Sequence, residues 1–123
     1  MIFVRHAITG EKAIVKITSV SSKLAHGDAI KVLSKSNDRV EPACNYAVPD
    51  GCGGCDFQHI EISAQKKLKL EVIKDQFMRI AKLEVHPEMV NTEPNNGLHW
   101  RTRFDFALSE NGKAGLYLSL IHI

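Results

Sequence analysis

Apolar residues come in short, β-branched runs at the start of the chain, at helical spacing in its middle, and in alternation near its end. Ile2-Phe3-Val4 reads as a strand. So does Ala13 to Val20, with Ile14, Val15, Ile17, Thr18 and Val20. Ala29 to Leu33 reads as a third strand, entered from a turn at His26-Gly27-Asp28. Three short strands suggest a piece of a small barrel, because three alone cannot close one. A strand starting at Ile2 leaves no room for an earlier one, so the chain is expected to begin inside a domain. Ser36-Asn37-Asp38 breaks the pattern, and Pro42 to Gly54 is rich in turn-formers. Leu70, Ile73, Phe77 and Ile80 then recur at spacings of three, four and three, the mark of one helical face. The spacing predicts a helix over Ala64–Lys82 with Ser63 as its N-cap and the apolar stripe as ordinary core packing. Lys66, Lys67, Lys69 and Lys74 fall mostly off the stripe and read as its wet side. After a polar connection containing Pro87 and Pro94-Asn95-Asn96-Gly97, Trp100, Thr102, Phe104, Phe106 and Leu108 alternate with Arg101, Arg103, Asp105 and Ala107, a strand with one apolar face. Asn111-Gly112 predicts a type I′ turn, with Ala114 to Leu118 returning.

Composition narrows this pattern to a small soluble-type fold. The chain has 123 residues, 44% hydrophobic and 24% charged, enough for one domain or two very small ones. No apolar run approaches the roughly 20 residues that span a bilayer, and Met1 opens no signal-peptide pattern. The expected location is cytoplasmic, with no membrane partner. The net charge of +2 is unevenly spread. Residues 1–43 hold seven Lys/Arg against four Asp/Glu, residues 44–60 only Asp50 and Asp56, and residues 61–82 six against three. Such basic segments are compatible with a polyanion partner, but charge alone favours a solvated surface.

The three cysteines, Cys44, Cys52 and Cys55, lie within twelve residues. An odd, clustered set in a chain without an export signal argues against a disulfide framework. Cys44-x7-Cys52-Gly53-Gly54-Cys55 instead has the form of a ligand loop. The glycines let the backbone turn tightly with N–H groups toward sulfur. Four readings stand on spacing: an iron–sulfur cluster with a fourth cysteine outside the chain, a zinc site with His59 as fourth ligand, a Cys52/Cys55 redox pair, and inert buried thiols. The loop setting disfavours redox, which normally follows a strand and opens a helix.

Asp38-Arg39-Val40-Glu41-Pro42-Ala43-Cys44, Cys52-Gly53-Gly54-Cys55-Asp56-Phe57-Gln58-His59-Ile60, and then Gln65 and Lys69 resemble the cluster region of RumA-type RNA (uracil-C5)-methyltransferases. Phe3-Val4-Arg5-His6-Ala7 with Thr9-Gly10-Glu11 looks like the second half of that family's TRAM domain, a small OB-like RNA-binding barrel. Trp100-Arg101-Thr102-Arg103-Phe104 looks like the strand opening its central domain. The resemblance runs from Phe3 to about Tyr117 and implies an α+β fold: a partial TRAM barrel (1–42), an iron–sulfur loop (43–60), an amphipathic helix (61–82) and the beginning of a central domain (83–117). It implies that Cys44, Cys52 and Cys55 are three ligands of a [4Fe–4S] cluster, the fourth lying beyond the chain. The interval of seven after Cys44 departs from the family's usual five. The resemblance also implies a monomer with RNA, most naturally rRNA, as partner and S-adenosylmethionine as cofactor of the full-length protein only. No Gly-rich cofactor loop, nucleophilic cysteine or catalytic base is present, so the chain is expected to contribute RNA binding and a structural cluster without catalytic residues. A self-contained zinc-binding RNA module is the alternative. Residues 118–123 resemble a translated library adaptor and are expected to be non-native, His122 included.

Other polar residues have bland readings beside functional ones. His59 suits helix-entry packing better than support of the cluster, and His6 and His26 suit the surface. Arg101 and Arg103 share a face suited to phosphate or to solvent. Trp100 suits core packing better than stacking on a base.

Overall fold

In the computed structural model, described for residues 1–90, 97–98, 102–103, 105–108, 112 and 114–115, the β-branched start of the chain forms three strands: β1 (Ile2–Arg5), β2 (Lys12–Val20) and β3 (Ala25–Ser34). They make one sheet in the order β1-β3-β2, with β1 parallel and β2 antiparallel to the central β3. Register shifts interrupt β2 between Lys12 and Ala13, Ile14 and Val15, and Ile17 and Ser19. Irregularities of this kind bend a strand and increase its twist. The class is the expected α+β. The chain divides into two units, Met1–Ile60 with Asp105–Ile123, and Glu61–Phe104.

β3 begins earlier than its apolar pattern predicts. His26-Gly27-Asp28 is part of the strand, opposite Ser19, Ile17 and Lys16, not a turn. The reversal lies at Ser21–Leu24, where Ser21 N–H donates to the Leu24 carbonyl (2.7 Å) and Leu24 N–H to Ser21 Oγ (3.3 Å). Gly27 is there because β2 crosses so closely. A Cβ at this position would lie 2.6 Å from Val15 Cγ1 and 2.9 Å from the Lys16 carbonyl oxygen. A glycine inside a strand thus marks close backbone approach.

Among the described residues the first unit buries few apolar side chains: Ile8, Ala29, Ala47 and Ile60. Ile14, Ile17 and Val20 of β2 remain exposed. So small a core cannot by itself fix the chain, and a polar knot supplies what it lacks. Glu11, its side chain fully buried, receives Arg39 Nε and Nη2, both at 2.6 Å, with Ile8 N–H at 2.9 Å and Ser36 N–H at 3.0 Å. The same Arg39 nitrogen Nη2 donates to the His6 carbonyl at 2.8 Å. Every carboxylate oxygen is therefore satisfied by charge or by backbone N–H. The Arg39 hydrogen bonds, opposed by burial, hold the Glu11 carboxyl down at about 2.

In the second unit, helix α1 spans Ile62–Gln76. Glu61, not Ser63, is its N-cap: the carboxylate accepts from Ser63 N–H (2.6 Å), Ala64 N–H (3.1 Å) and the Ser63 hydroxyl. A longer acidic side chain here answers both the free N–H groups and the helix dipole. From Phe77 to Ala81 the helix widens to π geometry, ending at Lys82 in the left-handed region (φ 57°). The widened turn rotates later residues off the original face. The predicted stripe is not a buried seam: Ile73 and Phe77, ahead of or at the start of the π segment, are already exposed, and Ile80 within it is 80% exposed.

Near the end, β4 (Ala107–Leu108) pairs antiparallel with β5 (Ala114–Gly115). The hairpin is thus present. Its register pairs Ala107 with Gly115 and Leu108 with Ala114; the predicted turn at Asn111-Gly112 falls mostly outside the described residues. Gly112 takes φ 71°. Trp100, Arg101, Phe104, Asn111 and residues 116–123 lie outside the described residues.

This packing makes two substitutions informative. Gly27→Ala should destabilise the chain by about 1–3 kcal/mol through overpacking, read as a lower denaturant midpoint. Glu11→Gln should cost about 3–5 kcal/mol by leaving Arg39 buried without its counter-charge. A carboxyl held low when folded contributes stability that is complete above its unfolded value, near 4.5, and is lost as pH falls toward about 2. Acid titration of the unaltered chain should show that loss, and Glu11→Gln should remove it.

Candidate functional site

The cysteine loop is closed at its base before it does anything else. Arg39 and Ile60 form an antiparallel bridge, and Val40 N–H donates to the His59 carbonyl at 3.1 Å. Between these ends the backbone folds on itself. Ala47 N–H reaches the Cys44 carbonyl (3.0 Å), Gly51 N–H that of Val48 (2.9 Å) and Cys52 N–H that of Tyr46 (2.8 Å). Gln58 Oε1 accepts the Cys44 N–H at 3.0 Å, tying the first cysteine to the Gln-His segment behind the last. Gly51 has no room for a side chain, since a Cβ would run into the Tyr46 carbonyl and stand 2.9 Å from that of Val48.

Two ion pairs moor this acidic loop to the basic strands. Lys16 of β2 meets Asp50 at 2.9 Å, and Arg5 of β1 meets Asp56 at 3.3 Å. The uneven charge along the sequence is thus partly internal complementarity. Each pair is exposed on at least one side and contributes little alone.

All three cysteines are free, Cys44 and Cys52 half-buried and Cys55 exposed. Gly54 N–H points at Cys52 Sγ at 3.4 Å, the backbone-to-sulfur arrangement expected of the Gly-Gly turn. Among the described residues no group of three His, Cys, Asp or Glu side chains is gathered to hold a single metal ion. The donor set nevertheless fits a thiolate-held group: three unpaired thiols on one loop, one already receiving a backbone N–H.

His59 lies at the loop's base. It is 6% exposed, its ring bonded to the Ala7 backbone and tilted 48° against His6, with centroids 5.9 Å apart. Its Nε2 is buried without a hydrogen-bond partner. Burial first, then the Arg39 charge, lowers its pKa; burial and Arg5 lower that of His6. Both rings, with Arg39, line a cavity of about 250 Å³ whose other walls come from β3 and from the loop segments about Val40–Pro42 and Ala47–Pro49. His26, also read as a surface residue, is partly covered and stacks on Phe3 (5.6 Å). Of the predicted phosphate-binding pair, the described member, Arg103, is exposed. Sequence reasoning missed the Glu11–Arg39 knot and the cavity; a lone Glu in a Thr-Gly-Glu turn gives no local sign of a partner 28 positions away.

No helix among the described residues is long and apolar enough to cross a membrane. No protein-family model matches the chain. It is similar to an uncharacterised RNA methyltransferase of Streptomyces avermitilis, 39% identical over 94% of this chain and 30% of that protein. An uncharacterised RNA methyltransferase of Caldanaerobacter subterraneus is 37% identical, over 91% of this chain and 24% of that protein. The 23S rRNA (uracil(1939)-C(5))-methyltransferase RlmD of Shewanella halifaxensis is 34% identical, over 84% and 22%. Likeness of this depth across nearly the whole chain makes it a member of the family of these RNA methyltransferases, of whose length it spans between about a fifth and a third.

Proposed function

We propose that the chain is the RNA-binding and cluster-bearing section of an S-adenosylmethionine-dependent 23S rRNA (uracil-C5)-methyltransferase, acting in the cytoplasm. The observation that carries this reading is the cysteine loop itself: three free thiols, a Gly54 N–H on the Cys52 sulfur, and a base closed by the bridge between Arg39 and Ile60. The name of the Shewanella relative supports uracil C5 of 23S rRNA as the target.

Cys44, Cys52 and Cys55 would hold a [4Fe–4S] cluster as thiolates, and when bound it would crosslink the loop rather than carry electrons, because uracil methylation has no redox step. The chain's own residues bind and orient. The sheet, read as part of a TRAM barrel, presents cations to the RNA backbone, which fixes register without reading sequence. The ion pairs from Arg5 and Lys16 set the loop against the strands. Cofactor binding and attack on uracil belong to the remainder of the full-length protein, and none of the three cysteines is the nucleophile.

Anaerobic reconstitution with ferrous iron and sulfide should give a brown chain holding iron and acid-labile sulfide in equal amounts. Cys52→Ser should lower both and abolish RNA binding or folding. Tight zinc with no sulfide would replace the cluster by a zinc-binding RNA module. Unchanged folding and RNA affinity in Cys52→Ser would sink the structural role.

A further inference from the structure

Of the three thiols, Cys44 has the longest way to come. Cys52 and Cys55 are joined by Gly53-Gly54, and Gly54 N–H already meets the Cys52 sulfur at 3.4 Å. Seven residues separate Cys44 from Cys52. Left free, an interval of that length has many conformations, and gathering its thiol onto a shared group would cost their entropy. Hydrogen bonds have to do the gathering in advance. Both backbone groups of Cys44 are engaged: its carbonyl accepts Ala47 N–H and its N–H donates to Gln58 Oε1, each at 3.0 Å.

The two bonds do different things. The one from Ala47 closes a local turn that travels with Cys44. Cys52 N–H, donating to the Tyr46 carbonyl at 2.8 Å, sets that turn beside the second thiol. Gln58 acts from the other side, across 14 positions and only three beyond Cys55. Its own place is fixed. Ile60 N–H returns to the Phe57 carbonyl (3.0 Å), the His59 carbonyl takes Val40 N–H (3.1 Å), and the His59 ring is bonded to the Ala7 backbone. Gln58 is half-buried between these anchors and the loop. A glutamine amide has one accepting atom, its carbonyl oxygen, and here that atom is spent on the backbone of the first cysteine.

We propose that Gln58 is a positioning residue for ligation: its side-chain carbonyl holds Cys44 where that thiolate can join those of Cys52 and Cys55 on one bound group. This rests on the reading of the cysteine loop as a ligand loop and names the side chain that makes it ready. Residues that orient a ligand typically account for about 10–100-fold in metal affinity. Gln58 orients the backbone of its cysteine and not the sulfur, which puts it at the lower end.

The test compares the unaltered full chain with Gln58→Leu, which removes the acceptor, and Gln58→Asn, which leaves it one methylene short. Each is loaded anaerobically with ferrous iron and sulfide, and the transfer of iron to a chelator is timed. Both variants should release iron about tenfold faster. Amide hydrogen exchange on the iron-free chains gives a second reading. The Cys44 N–H should exchange faster in both variants while those of Ala47 and Cys52 keep their protection, a pattern that general loosening does not give. Iron held as long as in the unaltered chain, or an unchanged Cys44 amide, overturns the role of Gln58 and leaves the cluster standing. An unaltered chain that takes zinc but no iron and sulfide overturns the cluster, and the timing of zinc release then decides on Gln58 in the same way. Uptake of neither overturns both. Gln58→Asn, the smaller change, carries the comparison if Gln58→Leu fails to fold.

Discussion

The first unit depends on the Glu11–Arg39 pair. One carboxylate collects Ile8 N–H, Ser36 N–H and two nitrogens of a guanidinium, and that guanidinium reaches on to the His6 carbonyl. The pair therefore fixes together the connection between β1 and β2, the end of β3 and the first residue of the cysteine loop. Among the described residues apolar packing does little of this, since those buried in the unit are Ile8, two alanines and Ile60. A buried ion pair is a poor source of net stability, but a fully hydrogen-bonded one penalises every arrangement that separates its members. Here that selectivity sets where the loop starts.

Loop and cavity share this foundation. Arg39 begins the loop, bridges Ile60 at its end and lines the cavity. Val40 N–H holds the His59 carbonyl, and His59 and Ala47 face the same space. The cysteines hang from the outer part of this frame, where Lys16–Asp50 and Arg5–Asp56 add weak, exposed moorings. A group bound by the three thiolates would constrain the segment that forms the cavity's wall.

Local chemistry was legible in the sequence and remote chemistry was not. The cysteine loop, the strands β1 and β2, the helix and the hairpin were each announced by residue type and spacing. Gly27 misled because glycine beside aspartate is also turn chemistry; only the approach of Val15 and Lys16 across the sheet shows why glycine is needed in mid-strand. Ser63 looked like the cap, yet Glu61 two residues earlier accepts from the Ser63 and Ala64 N–H groups and takes the serine hydroxyl as well. The π turn at Phe77–Ala81 has no recognisable sequence mark, and it moves Ile80 off the constant 3.6-residue period, though Ile73 before it is exposed as well. Arg39 stood in the motif, but its partner lies 28 positions away.

The same ion pairs change what the basic start of the chain means. Of the seven cations in residues 1–43, Arg5, Lys16, Lys35 and Arg39 are matched by Asp56, Asp50, Glu41 and Glu11. Among the described residues that leaves Lys12, Lys23 and Lys31 without an ion pair. Three lysines make a short electrostatic footprint, because each phosphate neutralised on a single strand releases only about 0.7 of a counterion. Any phosphate contact the strands make falls to these three lysines, since the other four cations are already matched within the first unit.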